Sequence, residues 1–162
     1  MPFYYDVNRA ETSNGSAGTE SSHFYAKTIA NQETMALKGV YIASRFGTAG
    51  GAQFRAKTNT GTTASGGTPQ TPAPRNLRGN PAAQTTWFND STTAVTAGQT
   101  LTTRLTVGFA QTGGMGGWVP IEAPDAIQLM ANATNPVDLE FTSNASAASV
   151  TFDATMEFSE GY

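Results

Sequence analysis

Cysteine is absent from the 162 residues, which removes disulfide staples, thiol catalysis and thiolate metal sites together. A cysteine-free chain is also what assembly in a reducing cytoplasm allows. Histidine is nearly absent too. The one copy, His23 in "SSHFYAK", has no acid beside it in sequence, and no G-x-S-x-G elbow accompanies it, so a serine nucleophile built on His23 is not expected. Charge is sparse, at 13% of residues with a net −3. The nine cations are scattered singly, and without a basic stripe nucleic acid is not the expected partner. No apolar run approaches the length of about 20 residues that a membrane helix needs. The N-terminus shows neither a basic nor an apolar leader region, so a soluble, unprocessed chain is expected.

Other motifs are missing in informative ways. "GTAGG" (Gly47 to Gly51) and "GGMGG" (Gly113 to Gly117) are glycine-rich but lack the Lys-Ser/Thr ending of a phosphate-binding loop. Asp138 and Glu140 share one strand parity, as do Asp153 and Glu157, and would form an acidic patch if their strands were neighbours. No D-x-D-x-D-G loop organises them, so no metal is expected, and outward acids on half-exposed strands serve solvation and edge protection. No cofactor motif is present. The expectation is a protein without a catalytic centre.

What is there is strand pattern. In "ASVTFDATMEF", Val150, Phe152, Ala154, Met156 and Phe158 alternate with polar residues, the period-two signature of a half-buried strand. "VDLEF" places Leu139 and Phe141 inward and Asp138 and Glu140 outward. "TLTTRLTVGF" aligns Leu101, Leu105, Val107 and Phe109, and "DAIQLM" aligns Ile127 and Leu129. "SHFYAKTIA", "ETMALKGVYIASRF", "GAQFRAKTN" and "QTTWFN" supply the remainder, for about eight strands with Gly, Asn and Pro punctuation and no helix beyond a turn. This predicts an all-β fold, an antiparallel β-sandwich of jelly-roll type. Residues 1–21 read as an N-terminal arm or loop, and residues 22–162 as a single sandwich domain with a Gly/Thr/Pro-rich insertion at 60–84.

The insertion carries Pro69, Pro72, Pro74 and Pro81, which bias it to an extended path without ladder bonds of its own. A long connection of this kind is either a solvated surface loop or a binding loop, and the sharper reading is an arm across a neighbouring subunit. Leu77 and Trp87 would anchor it while Arg75 and Arg78 donate to a partner. Phe3, Tyr4 and Tyr5 crowd the N-terminus and Trp118 follows the glycines, all aromatic candidates for a protein interface.

In texture the chain resembles the jelly-roll capsid cement, or decoration, proteins of tailed bacteriophages, over roughly residues 35–160. The phrases that carry the likeness are "GTTASGGTPQTPAPRNL" with "NPAAQTTW", then "GGWVPIEAPDAIQL", then a closing strand ending "TMEFSE". The resemblance implies a non-enzymatic virion protein, assembled in the host cytoplasm. It would sit on the capsid exterior as a homo-oligomer, a trimer in the first instance, against the major capsid protein. A tail or fibre component, or a carbohydrate-binding sandwich module, is the alternative.

Overall fold

A computed structural model describes residues 2–13, 17–27, 35–45, 51–59, 61–76, 79, 81–99, 101–110, 116–121, 127–129, 138–146 and 150–161. In chain order the strands are β1 (Phe3–Ser13), β2 (Ser21–Lys27), β3 (Met35–Ser44), β4 (Gly51–Asn59), β5 (Ser65–Gly66), β6 (Thr68–Gln70) and β7 (Ala73–Pro74). They continue as β8 (Thr86–Asn89), β9 (Val95–Thr96), β10 (Leu101–Ala110), β11 (Gly116–Pro120), β12 (Ile127–Leu129), β13 (Asp138–Ala145) and β14 (Thr151–Glu160). Among the described residues there is no helix.

One sheet runs β11-β3-β14-β1-β7, with β12 also on β3, and the other runs β10-β4-β13-β2-β8-β6. The pairings follow a rule. Strand β1 pairs with β14, β2 with β13, β3 with β11 and β4 with β10, all antiparallel. The chain is thus one long hairpin whose outgoing strands meet its returning strands in reverse order. The additional pairs β14–β3 and β13–β4 roll that hairpin into two facing sheets, which is the jelly-roll arrangement. The segment between Asn59 and Leu101, which face each other across β4 and β10, forms the hairpin's tip.

The interior is aromatic. Trp87 bridges the sheets, with ring centroids 5.9 Å from Phe141 on one and 5.0 Å from Phe158 on the other. Tyr5 stacks on Phe158 at 5.4 Å, and Phe54 meets Phe152 edge-on at 5.8 Å. Each fully buried large side chain contributes roughly 1.5–3 kcal/mol, whereas an exposed ion pair contributes about 0–1 kcal/mol. The core therefore holds the fold and the surface charges trim it. The parity read for β14 is borne out, since Val150, Phe152, Ala154, Met156 and Phe158 are all buried.

Several expectations change. Residues 3–13 are no arm: they form β1, inside its sheet between β14 and β7, because Tyr5 and Val7 alternate inward on the same parity. The Pro-rich segment is likewise folded onto its own sandwich. Strand β6 extends one sheet beside β8, and β7 extends the other beside β1. The intervening turn straps the two sheet edges together. Proline suits both places, because an edge strand has N–H positions with nothing to bond.

Candidate functional site

Three polar constellations stand out from this scaffold, each assembled from distant parts of the chain. The first surrounds His23. The β2–β13 register shifts between Phe141 and Thr142, leaving His23 as the extra residue of a bulge, and a bulge re-aims its side chain. The ring turns inward, edge-on to Phe152 at 5.2 Å. Its Nδ1 lies 2.8 Å from Asp90 Oδ2 and its Nε2 lies 2.7 Å from Ser143 Oγ. Arg9 Nε donates to the other Asp90 oxygen at 2.8 Å.

Asp90, His23 and Ser143 thus have the hydrogen-bond order of a hydrolytic triad. The sequence concealed it, because both partners are remote. Access decides its chemistry: Ser143 is 0% exposed and His23 1%, so no substrate carbonyl reaches the hydroxyl in this conformation. A hollow of about 520 Å³ borders His23 and Asp90 but is not lined by Ser143. The relay ties β1, the segment after β8, β2 and β13 together.

The second constellation overturns the reading of Asp138 and Glu140 as solvated acids. Both are fully buried, because the first and last parts of the segment between Asn59 and Leu101 fold over the outer face of β13. Ala64 N–H donates to Asp138 Oδ2 at 2.5 Å and Gly98 N–H to Glu140 Oε1 at 2.8 Å. Tyr25 donates its hydroxyl proton to Gly66 O at 2.7 Å from the neighbouring strand. The second oxygens, Asp138 Oδ1 and Glu140 Oε2, have no hydrogen-bond partner. Burial, and then the neighbouring Asp138 charge, push the Glu140 carboxyl up to about 7, and burial raises Asp138 as well. Glu20 stands at the rim, 2.7 Å from Lys57 Nζ, and is lowered overall by Lys57, Thr142 and Arg55 against its own desolvation. No four-acid patch exists, since β13 and β14 belong to different sheets. Among the described residues no group of three or more His, Asp or Glu side chains could hold a metal.

The third is the outer face of the β3-β14-β1 sheet with the strap across it. Arg75 Nε contacts Asp6 at 2.9 Å and its Nη1 contacts Glu157 at 2.7 Å. Its backbone N–H donates to Tyr4 O at 3.0 Å. The Asp6 partnership, ahead of any loss by burial, raises the Arg75 guanidinium further. Tyr4, 39% exposed, and Tyr41, 44% exposed, are the large hydrophobic residues presented to solvent among those described.

The interface residues expected from sequence divide accordingly. Trp87 is 0% exposed and Tyr5 is 0% exposed, so neither meets a partner; Phe3 packs against the same core. The Tyr5 hydroxyl donates to Pro81 O at 2.9 Å. Pro69 and Pro74 lie in the paired strands β6 and β7, with Pro72 half-buried in the turn between them. Arg75 serves acids of its own chain. Trp118 is opposite Tyr41 in β11, its side chain outside the described residues, as are Leu77 and Arg78 entirely. Tyr4 stands exposed on the outer face. Tyr41 was legible by parity, standing between inward Val40 and Ile42.

No protein-family model, curated protein or solved structure matches this chain.

Proposed function

We propose that this chain is a non-enzymatic structural protein that works by adhesion to a larger protein assembly, as a cement or decoration protein on a bacteriophage capsid does. The observation that carries this reading is the outer face of the β3-β14-β1 sheet. It presents Tyr4 and Tyr41, and its acids are engaged by arginines of the same chain, Asp6 and Glu157 sharing Arg75 and Asp153 taking Arg45. A face whose acids already hold arginine partners strands less charge when another protein covers it, and a stranded ion would cost several kcal/mol. Tyrosine is the residue type that anchors such contacts, apolar in body and polar at its tip.

The strap adds to the argument. With β6 and β7 closing the sandwich edges, the molecule offers a rigid block, and rigid partners lose less freedom when they bind. A ligand that binds only the closed shell stabilises it by mass action.

The test is co-sedimentation with purified capsids, with gel filtration of the free protein. Binding that weakens at least tenfold in the Tyr4→Ala/Tyr41→Ala variant, from a protein that migrates as an oligomer, supports the reading. A monomer that ignores capsids and binds a glycan array instead favours the sugar-binding module. That alternative has one feature of its own, an open hollow of about 560 Å³ whose lining includes Gln53, Arg55, Asn144 and Ser146.

A further inference from the structure

Among the described residues Asp138 and Glu140 stand out as two fully buried carboxyls on one strand with no cation hydrogen-bonded to either. The cover over them is a ribbon of residues 61–66 and 94–99, joined by the two-residue strands β5 and β9. Gly67 N–H donates to Ala94 O at 3.1 Å and Gln99 N–H to Thr62 O at 2.9 Å. Little apolar surface fastens it: Ala64 is buried and Val95 half-buried, while Ser65, Gly66, Ala94, Thr96 and Ala97 are exposed. It is attached below by backbone N–H groups on Asp138 and Glu140, by the Tyr25 hydroxyl on Gly66, and by Asn59 Nδ2 on Thr62 O at 2.7 Å. A segment held by a few polar contacts opens at low local cost.

We propose that this ribbon is a proton-controlled cover, closed while Asp138 and Glu140 together carry one negative charge and lifted when both are ionised. The two carboxyls sit two residues apart on one face of β13, and each keeps a buried oxygen without a partner. A proton on Glu140 removes one of two like charges from a dry site. Without it, the second charge must be solvated.

The surrounding groups offset only part of that cost: Lys57 acts on Glu140 and Lys27 and Asn59 act on Asp138, each ranking below the loss of water. From β4, Lys57 is engaged with Glu20, and Arg55 turns to Glu20 and Gln53. From β10, Arg104 donates to Thr58. From β2, Lys27 lies 4.9 Å over the Tyr25 ring, and the Tyr25 hydroxyl is raised by burial and by both acids. Glu20, ahead of β2, adds negative charge. The ribbon contributes no charged side chain in 61–66 or 94–99. Water is the remaining source, and it enters when the ribbon lifts. The elevated Glu140 carboxyl places the change near neutral pH, so the cover opens as pH rises.

Amide hydrogen exchange on the full chain, as protection factors corrected for intrinsic rate, tests this between pH values of about 5.5 and 8.5. Protection of residues 61–67 and 94–99 is expected to fall at least ~10-fold over that range, while β3 and β14 hold constant. In Glu140→Gln it stays flat, and in Asp138→Asn the ribbon stays closed to higher pH. Flat protection in the wild type, or an equal fall in Glu140→Gln, overturns the proposal. Should Glu140→Gln not fold, carboxyl ¹³C titration of the wild type decides: an ordinary Glu140 pKa near ~4.3 overturns it.

Discussion

Ser143 Oγ lies 2.7 Å from His23 Nε2, and both residues are enclosed between the two sheets. The contact is short and aligned with Asp90 on the far side of the ring, and both Ser143 and His23 are closed to solvent in this conformation. Ser143→Ala leaves a buried ring nitrogen without its partner, a loss of about 1–3 kcal/mol. Urea unfolding of the variant measures it. A fluorophosphonate probe is expected to leave the folded wild type unlabelled, and labelling at Ser143 would show that the hydroxyl becomes accessible.

Trp87 fills the junction of the sheets between Phe141 and Phe158, and its indole nitrogen has no acceptor. Trp87→Ala is expected to cost about 3–5 kcal/mol through the cavity it leaves. Trp87→Phe removes the unsatisfied N–H along with part of the volume, so its cost is smaller, below about 3 kcal/mol. The two variants compared in one denaturant series separate packing from polarity. Equal losses would mean that packing does not decide the site.

The inward parity of β14 was legible because it follows from its own residues: five apolar side chains at every second position can bury only one way. The roles of Trp87 and Tyr5 were not, since an aromatic beside a Pro-rich stretch or a chain end reads equally as anchor or core. Partners decide between them, and those come from far away. Pro74 pairs with Tyr5, and Pro69 with Phe88. His23 meets Asp90 at a separation of 67 residues and Ser143 at 120. Asp138 and Glu140 obey strand alternation and do point away from the core. Only the ribbon folded over them, which no local pattern announces, turns an outward position into a buried one.

Gly98 shows how closely that ribbon fits. A Cβ there would lie 2.5 Å from both Glu140 Oε1 and Thr62 O, and closer still to Asn59 Nδ2. Gly98→Ala therefore forces the ribbon outward, at about 1–3 kcal/mol if it stays attached. Thermal unfolding and exchange at Ala64 check this together. An unshifted melting point would show that the ribbon is looser than its contacts.

Stability should depend on pH in two opposed ways. Glu140 is raised from 4.5 to about 7, so the fold prefers its neutral form. That preference is fully present below the unfolded value and is lost as pH rises toward 7, at most about 3 kcal/mol in all. Glu20 is lowered by Lys57, Thr142 and Arg55, so its contribution exists above the unfolded value and is lost as pH falls. The maximum is expected between the two, in mildly acidic solution. Glu140→Gln should flatten the alkaline side and leave the acid side unchanged. A wild-type maximum at or above pH ~8 contradicts the assignment.

The strap makes the last prediction, because its return to the core depends on one buried carboxylate. Glu160, 2% exposed, accepts N–H groups from Gln84 at 2.9 Å and Thr85 at 2.7 Å. Upstream, Pro81 O takes the Tyr5 hydroxyl, and Arg75 holds Asp6 and Glu157 from a 40% exposed position. The Arg75–Asp6 pair is exposed, screened by salt and worth about 0–1 kcal/mol, and Arg75 also reaches the buried Glu157 from its exposed side. Bonds to the fully enclosed Glu160, by contrast, contribute about 1.5–3 kcal/mol. Glu160→Ala should therefore destabilise more than Arg75→Ala, by about 2 kcal/mol, and only the Arg75 effect should shrink in high salt. Limited proteolysis should cut residues 71–82 faster in both variants, because each releases one end of the strap. If Glu160→Ala leaves that segment as resistant as the wild type, the prolines and the β6 and β7 pairings hold it unaided.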